Sequence, residues 1–567
     1  MIPRAEHPKP QWERTDWTCL NGEWEFEQDR AGSGLARGLY RPDAAFHGKI
    51  TVPFCPQSRL SGIADLDFMR AVWYRRRVTV PADRLSGRIL LHFGAVDYTA
   101  IIFCNGKKCG EHRGGYVSFS VDLTGCVRAG ENVITVSAED DERNRLIPHG
   151  KQSSTYDSRG CDYSRTTGIW QTVWLEYVPE VHVENARYLP SAETGTLTVI
   201  ADLCGAAELT VRTSFDGEPT GDASVYSDGG QVTLTVPLTK THLWEVGKGG
   251  LYDLTLSYGT DTVKSYFGLR SIAYRDRKFF LNGKSVFQRL VLDQGFYPDG
   301  IYTAPSDEAL AADIDRAVAM GFNGARLHQK VFEERFLFHA DKKGYLVFAE
   351  YPNWGLDHTY ADAVYGILPE WLEEVRRDAN HPSIVGWCPF NETWDIAGRK
   401  QYDPLLSLVY HATKAADPTR PCIDTSGNYH VVTDLYDVHD YEQDPAAFAA
   451  HYASLSADGS HSDQCGQRQH YDGKSPFFVS EYGGIRWSAD DTGWGYGTAP
   501  KTEEEFLERL RGLTDVLLDN PVMFGFCYTQ LTDIEQEQNG LYTYERIPKF
   551  PPQRIAAIIG RKAAVED

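Results

Sequence analysis

Apolar positions in residues 1–178 come in short stretches of alternating character, broken every few residues by Gly, Asp, Asn or Pro. RILLHFGAVDYTAIIFCNGKKCG, with Asn105-Gly106 as a two-residue turn, and ENVITVSAEDD are typical. Closely spaced runs rich in Val, Ile, Phe and Tyr predict an antiparallel β jelly roll. GIWQTVWLEYVP closes it, with Trp170, Val173 and Leu175 as apolar contacts. Residues 179–270 continue as weaker strands (TLTVIADL, AELTVRTSF, QVTLTVPL, GLYDLTLSY) over a length that predicts one immunoglobulin-like β-sandwich.

The pattern changes over residues 271–567. In DEALAADIDRAVAMG, Leu310, Ile314 and Ala317 fall on one helical face and Gly321 stops the helix. Helical stretches (RFLFHADKKG, LPEWLEEVRRDAN, LLSLVYHATKAAD, EEEFLERLRGLTDVLLD) alternate with short apolar runs: SVFQRLVLD, FNGARLH, YLVFAEYP, IVGWCPFNE, PCIDTSG, DLYDVHDY, FFVSEYGG and VMFGFCYTQ. Eight such runs with helices between most of them predict a C-terminal (β/α)8 TIM barrel. An open doubly wound sheet has no GxGxxG after a strand to support it.

In such a barrel the residues at the C-terminal strand ends form the active site. That rule selects two carboxylates: the fourth run ends in Asn391-Glu392 and the seventh in Ser480-Glu481. Strands four and seven lie across the ring from each other, so the two side chains can meet over the mouth. A carboxyl pair about 5–5.5 Å apart is the apparatus of retaining glycoside hydrolysis, one protonating the leaving oxygen and the other attacking the anomeric carbon.

Composition narrows the partners. The 567 residues carry 57 Lys plus Arg against 79 Asp plus Glu, a formal charge of −22, which argues against a nucleic-acid partner. No apolar run approaches the ~20 residues of a membrane helix. The start, MIPRAEHPKPQWERTDW, lacks the basic and apolar regions of a secretory signal, and the eleven Cys are scattered singly with no CxxC. These features lead us to expect reduced thiols and a cytoplasmic location. A homo-oligomer stays open.

At this point the chain resembles glycoside hydrolase family 2, which includes β-galactosidases, β-glucuronidases and β-mannosidases. The resemblance is carried by YSRTTGIWQTVWLE, FLNGKSVFQRLVLDQ, GFNGARLHQ, NHPSIVGWCPFNET and FFVSEYGG, in that order. It implies a sugar-binding jelly roll, an immunoglobulin-like sandwich and a catalytic barrel, with a β-glycoside as partner and no organic cofactor. It also implies roles: Glu392 as acid/base, Glu481 as nucleophile, Asn391 on the sugar 2-hydroxyl, Arg326 beside the nucleophile, Tyr441 hydrogen-bonded to it, and His439 as its pocket neighbour. Asp162, in DYSRTTGI, matches the spacing seen in β-glucuronidases, where that Asp reaches into the active site.

Departures bear on the substrate. β-Glucuronidases carry an Asn-x-Lys element for the substrate carboxylate; the matching positions are Glu537 and Asn539, so the cation is missing and an acid stands in its place. Repulsion by Glu537 argues for a neutral sugar, β-galactoside first. Lys330 or Arg486 as a substitute cation keeps a uronide hydrolase open, a furanosidase on the same scaffold is a further alternative, and a catalytically inactive carbohydrate-binding protein is the alternative of another class. Gln329 replaces the histidine that follows the second-strand arginine in glucuronidases. Trp354, Trp394, Trp487, Trp494 and Tyr528 are candidates for stacking on a sugar ring, and GGIRWSADDTGWGYG for a lid. No metal site is expected: Asp533, Glu535 and Glu537 alternate on one strand face without His and read as an acidic edge.

Overall fold

A computed structural model of the chain describes residues 2–462, 468–488 and 493–566. Cys465 and part of the suggested lid, residues 489–492, lie outside the described residues.

Two antiparallel sheets face each other in the first unit. One runs Trp17–Cys19, Val173–Val178, Arg88–Phe93, Phe119–Asp122; the other runs Gly48–Val52, Gly22–Gln28, Ala71–Val80, Gly130–Glu139, Thr99–Cys104, Lys107–Arg113. The Asn105-Gly106 turn joins the last two strands, with φ of 53° and 80° at its residues. Positive φ at both positions gives a turn whose twist matches its strands. Between the sheets lie Trp24, Phe26, Tyr74, Ile89, Leu91, Phe93, Ile134 and Leu175.

The second unit is a smaller sandwich of three strands (His182–Ser191, Thr196–Cys204, Gly230–Pro237) against four (Glu218–Ser227, Ala207–Phe215, Leu251–Tyr258, Asp261–Gly268). Burial alternates residue by residue along Thr196–Cys204, as expected of strands with one face on a core and one in water. His182–Ser191, Glu218–Ser227 and Asp261–Gly268 are not among the strands that the sequence pattern predicts.

Among the described residues, seven parallel strands form the barrel: Gln288–Asp293, Gly324–Leu327, Leu346–Glu350, Ile384–Cys388, Tyr436–Asp440, Phe477–Gly483 and Met523–Thr529. Every residue of the third, fourth, sixth and seventh is buried, which fits strands covered on both faces. The predicted fifth run, PCIDTSG, closes the ring through parallel bridges from Cys422 to Trp387 and from Ser426 to Asn391 rather than as a full strand. Pro421 has no N–H to give, and on the far side side chains replace the ladder. Asp424 accepts from the Val431 and Val432 N–H groups, and Asp437 from the Gly427 N–H. Two helices that the sequence reading passed over, Pro445–Asp458 and Pro552–Ile559, complete the outer layer.

The barrel interior is packed, not hollow. Leu290, Leu292, Phe348, Val385, Ile423, Phe478 and Phe524 fill it, and Phe279 and Leu281 from the short sheet Ile272–Arg275, Lys278–Leu281, Lys284–Ser285 plug its floor. Phe348 lies so close to the fourth strand that a Cβ on Gly386 would sit 2.1 Å from its ring. Filling the lower end leaves only the C-terminal mouth for a ligand. Phe348→Ala is expected to cost about 3–5 kcal/mol, read as a lower denaturant midpoint of the barrel transition; an unchanged midpoint would mean that this layer does not carry the barrel. No helix among the described residues is long and apolar enough to cross a membrane.

Candidate active site

Glu392 and Glu481 meet at the mouth. Ligand oxygens of the two, together with a ring nitrogen of His439, all lie within 4.8 Å of one another. The fourth strand ends before Phe390-Asn391-Glu392, and the Glu392 N–H bonds to the Ser426 carbonyl at 2.9 Å. Its φ of 48° is one a side-chain-bearing residue seldom adopts, a local cost that the surrounding hydrogen bonds must hold. Glu481 leaves the seventh ring position beside His439, its register partner on the neighbouring strand.

Arg326, buried on the second strand, ties the floor of the site together. It donates to Glu481 Oε1 at 2.7 Å, to Asn391 Oδ1 at 2.6 Å, to Glu350 Oε2, and to the Ser480 carbonyl at 3.3 Å. Burial opposes its charge, but Glu350 and Glu481 outweigh it, and the guanidinium stays ionised. Tyr441 donates to the other Glu481 oxygen, Oε2, and its ring stacks on Tyr496. Asn391, its Oδ1 taken by Arg326, has a buried Nδ2 with no partner among the described residues.

His439 bridges the carboxylates, with Nδ1 at 2.7 Å from Glu392 Oε1 and Nε2 at 3.4 Å from Glu481 Oε1. Burial favours the neutral ring, yet the Glu481 charge and the Glu392 hydrogen bond raise its pKa above the usual value. Glu392 is affected in the complementary way. Burial pushes its pKa up, but the hydrogen bond and charge of His439, then Lys151 and Arg326, bring it below the ordinary range. Both shifts run in the direction of a carboxylate facing a protonated ring.

Sequence reasoning passed over Glu350 and His328. Glu350 ends the third strand, where the same strand-end rule could have found it; burial raises its pKa against Arg326. His328 Nδ1 stands 2.8 Å from Glu350 Oε1, and burial followed by the Lys151 charge holds the ring neutral. Gln329 faces this support layer, donating to Asn353 Oδ1 at 2.8 Å and to Glu350 Oε1 at 3.3 Å.

A jelly-roll loop forms one wall. The His149 N–H bonds to the Trp354 carbonyl, and Gly150 threads so tightly that a Cβ there would lie 2.5 Å from the Gln329 carbonyl. Farther on, Tyr163 donates to Glu537 Oε2, the Ser164 N–H to Glu535 at 3.1 Å, and Gln536 to the carbonyls of Gly160 and Asp162 at 2.7 and 3.0 Å. Asp162 is thus held at this wall, where burial raises its pKa against the pull of Lys151 and Arg159. Lys151, on the same loop, was also not singled out by the sequence reading.

Other candidates lie elsewhere. Trp487 packs against Phe506 and Phe550, and buried Tyr528 against Tyr482 and Phe322, so these two belong to the packing behind the mouth and not to the carboxylate cluster. Trp494 Nε1 donates to the Gly160 carbonyl at 2.5 Å. Trp354 and half-exposed Trp394 line a 480 Å³ cavity that includes Glu392, His149, Arg143 and Asp357. Lys330 is no substitute cation: its Nζ donates to the Gly295 and Tyr302 carbonyls at 2.6 and 2.8 Å, and burial lowers its pKa to about 7.

The Glu392, His439 and Glu481 atoms are spaced as metal ligands can be, but the donor set is poor. A ligating His must be neutral, whereas His439 is biased toward its cation and Arg326 already occupies Glu481. Asp533, Glu535 and Glu537 each face a separate protein donor: Lys549 at 2.6 Å, the Ser164 N–H, and Tyr163 with Asn539.

Comparison with known proteins agrees with this architecture. The family description "Glycosyl hydrolases family 2, sugar binding domain" matches residues 63–179, and "Glycosyl hydrolases family 2, TIM barrel domain" matches residues 272–485. The chain belongs to glycosyl hydrolase family 2. It is 25% identical to a β-glucuronidase of Felis catus over 72% of this chain and 68% of that protein. It is 27% identical to a β-galactosidase of Thermoanaerobacter pseudethanolicus over 58% of this chain and 46% of that one. The fold is shared with Lactobacillus rhamnosus β-glucuronidase (TM-score 0.81, 21% identity, 99% and 100% of the two chains). It is also shared with Ruminococcus gnavus β-glucuronidase in complex with D-glucuronic acid (TM-score 0.79, 18% identity, 98% and 100%). As a member of the family the chain is a glycoside hydrolase.

Proposed function

We propose that this hydrolase is an exo-acting, retaining β-glycosidase in which Glu481 attacks and Glu392 moves the proton. The carrying observation is the approach of the two carboxylates to within 4.8 Å. A retaining site needs about 5–5.5 Å, and an inverting one leaves roughly 6.5–9.5 Å for a water. The contacts of Glu481 suit a nucleophile: Arg326 donates to one oxygen and the Tyr441 hydroxyl to the other, which fixes the carboxylate's orientation.

In the first step Glu481 bonds to the anomeric carbon as the bond to the leaving oxygen breaks. The proton delivered to that oxygen comes from the Glu392–His439 pair, passing from Nδ1 across the 2.7 Å contact to the carboxylate and on to the oxygen. His439 is then neutral and Glu392 again a carboxylate, ready to take a proton from the water that cleaves the glycosyl ester and return it to the ring. The unpartnered Asn391 Nδ2 is available to the 2-hydroxyl, a contact that strengthens in the transition state. The cavity beside Glu392, with Trp354 and Trp394, receives the leaving group because the acid must face it. The jelly-roll loop that closes against Trp354 and Gln329 at one side of the mouth supports the exo assignment.

The galactoside reading drawn from the sequence leaned on repulsion by Glu537. Both Glu537 oxygens already accept hydrogen bonds, from Tyr163 and Asn539, which weakens that argument. The names of the relatives favour a uronide as the second reading. A cytoplasmic location is supported by ten described cysteines that are all unpaired.

Two outcomes test the scheme. Tyr441→Phe removes a hydroxyl bond to a charged oxygen, worth about 1.5–3 kcal/mol, and is expected to lower kcat on aryl glycosides about 10- to 150-fold; an unchanged kcat would remove Tyr441 from the mechanism. In a pH profile, kcat/KM is expected to fall on the alkaline side as the Glu392–His439 proton is lost. Because the His439 pKa is raised, that limb should lie above about 6.5, the ordinary His value. A limb centred below it would mean that the proton is not held by this pair.

A further inference from the structure

Tyr441 holds one of the two carboxylate oxygens of Glu481, yet it lies one residue beyond the strand Tyr436–Asp440, on the loop that follows. A phenol donates along a direction set by its side-chain torsions, and a loop backbone alone does not fix them. The ring is fixed by Tyr496, on the segment after the nucleophile. The two rings lie face to face, with centroids 3.5 Å apart and planes 6° from parallel, and this is the one ring contact that Tyr441 makes among the described residues. Free aromatic pairs prefer offset or edge-on arrangements at about 4.5–7 Å. The chain on either side must therefore impose this one.

Three segments do so. Gly484, with a φ of 59°, lies against both rings: a Cβ there would stand 2.5 Å from the Tyr496 ring and 3.2 Å from that of Tyr441. The Tyr496 N–H donates to the Gly484 carbonyl at 2.8 Å, and Ile485 and Tyr496 are joined by a parallel bridge. Gln443 secures Tyr441 from its own loop, donating to the Tyr441 and Gly483 carbonyls at 3.1 and 2.7 Å. The outer side of Tyr496 meets Trp494 edge to face, 5.6 Å away at 71°. Trp494 is held in turn by the Gly160 carbonyl of the jelly-roll loop, at 2.5 Å from its Nε1, and by backbone bonds to Gln536 and Gln538 at 3.0 and 2.9 Å.

We propose that Tyr496 is a positioning residue for the nucleophile: it acts through the face of Tyr441, keeping the phenol O–H on Glu481 Oε2 and the carboxylate in its line of attack. The proposal rests on the reading of Glu481 as the nucleophile. The hydrogen bonds that reach Glu481 come from Arg326 and Tyr441, not from Tyr496, so the effect passes through the stacked ring. Without the flat face behind it, Tyr441 is free to turn, and its hydroxyl leaves Oε2. A misplacement of about 1 Å at a reacting group can cost on the order of 10²-fold in rate.

The test uses the full chain with whichever of 4-nitrophenyl β-galactoside, β-glucoside and β-glucuronide it turns over fastest. Tyr496→Leu is expected to lower kcat about 10-fold, and no further than Tyr441→Phe does, with KM changed less than about twofold. Tyr496→Phe keeps the flat face and should restore most of that loss. In the Tyr441→Phe background, where no hydroxyl is left to aim, Tyr496→Leu should cost less than about twofold. A 2,4-dinitrophenyl 2-deoxy-2-fluoro-β-glycoside of the same sugar reads the attack of Glu481 directly: its rate of covalent inactivation should fall by the same factor as kcat, with its reversible binding unchanged. Rates are counted per site labelled at completion, so misfolded chain does not enter them, and Tyr496→Met replaces the leucine variant where that one is not recovered. Equal losses in the two backgrounds would overturn the proposal, as would a rise in KM without a fall in kcat, a phenylalanine variant as slow as the leucine one, or an unchanged kcat in Tyr496→Leu. Failure of the retaining reading is separable, since the inactivator would then not label Glu481 in the unsubstituted chain, whereas failure of the proposal leaves that labelling in place.

Discussion

Glu481→Gln is expected to reduce kcat on every accepted aryl β-glycoside by on the order of 10⁵-fold or more, the scale on which removal of a covalent nucleophile acts. The amide keeps the size of the carboxylate, and its oxygen can still accept from Arg326, so folding and substrate binding should persist. The physical reason for the large loss is that no other carboxylate is placed to attack. Glu350, the other carboxylate on Arg326, is taken up by that guanidinium and the Gln329 N–H. A 2-deoxy-2-fluoro glycosyl inactivator with a good leaving group should trap the ester on the peptide containing FFVSEYGG, and Glu481→Gln should not label. Labelling of Glu350, or full activity in the variant, would send the mechanism back to a different nucleophile. Sugar binding without labelling of the unsubstituted chain would favour an inactive carbohydrate-binding protein.

For Glu392→Gln the expected loss depends on the leaving group. General acid–base assistance is worth about 10²–10⁴-fold, so a substrate with a poor alkyl leaving group should lose that factor in kcat/KM. A 2,4-dinitrophenyl glycoside, which departs without a proton, should lose far less in its first step. The second step needs a base, and the glutamine is not one, so ester hydrolysis should become rate-limiting and the ester accumulate. Azide needs no deprotonation and fits where the carboxylate charge was removed. It should restore turnover and yield a glycosyl azide of retained β configuration, identifiable by NMR. An α-azide, or equal losses on good and poor leaving groups, would contradict the assignment of Glu392.

Much of this arrangement is legible in the sequence because it follows from local pattern. Alternation in TLTVIADL, the Asn105-Gly106 turn and the largely apolar barrel runs each encode one element through nearest-neighbour physics. The strand-end rule carries Glu392 and Glu481 with them, since both follow runs that must be buried. What is not legible depends on contacts distant in sequence. PCIDTSG looks like a strand by composition, but Pro421 has no N–H to give and the Asp437 side chain takes the Gly427 N–H. Trp487 and Tyr528 are aromatic residues near the mouth, yet Phe506, Phe550 and Tyr482 claim their faces. Glu537 reads as an exposed acid only while its partner Tyr163, from another part of the chain, is out of view. Lys151 is hidden most thoroughly: nothing in HGKQSS marks it, and only the insertion of Gly150 against the barrel brings it to the site.

That insertion has a consequence for how such a hydrolase diversifies. The reacting carboxylates and their supports are built into a barrel whose packing tolerates little change, while the wall opposite is lent by a module of separate architecture. Remodelling of one accessory loop can therefore reshape the rim of the mouth without disturbing the bond-breaking apparatus, and a barrel without its neighbour would lack the wall that His149, Gly150, Tyr163 and Ser164 close against it.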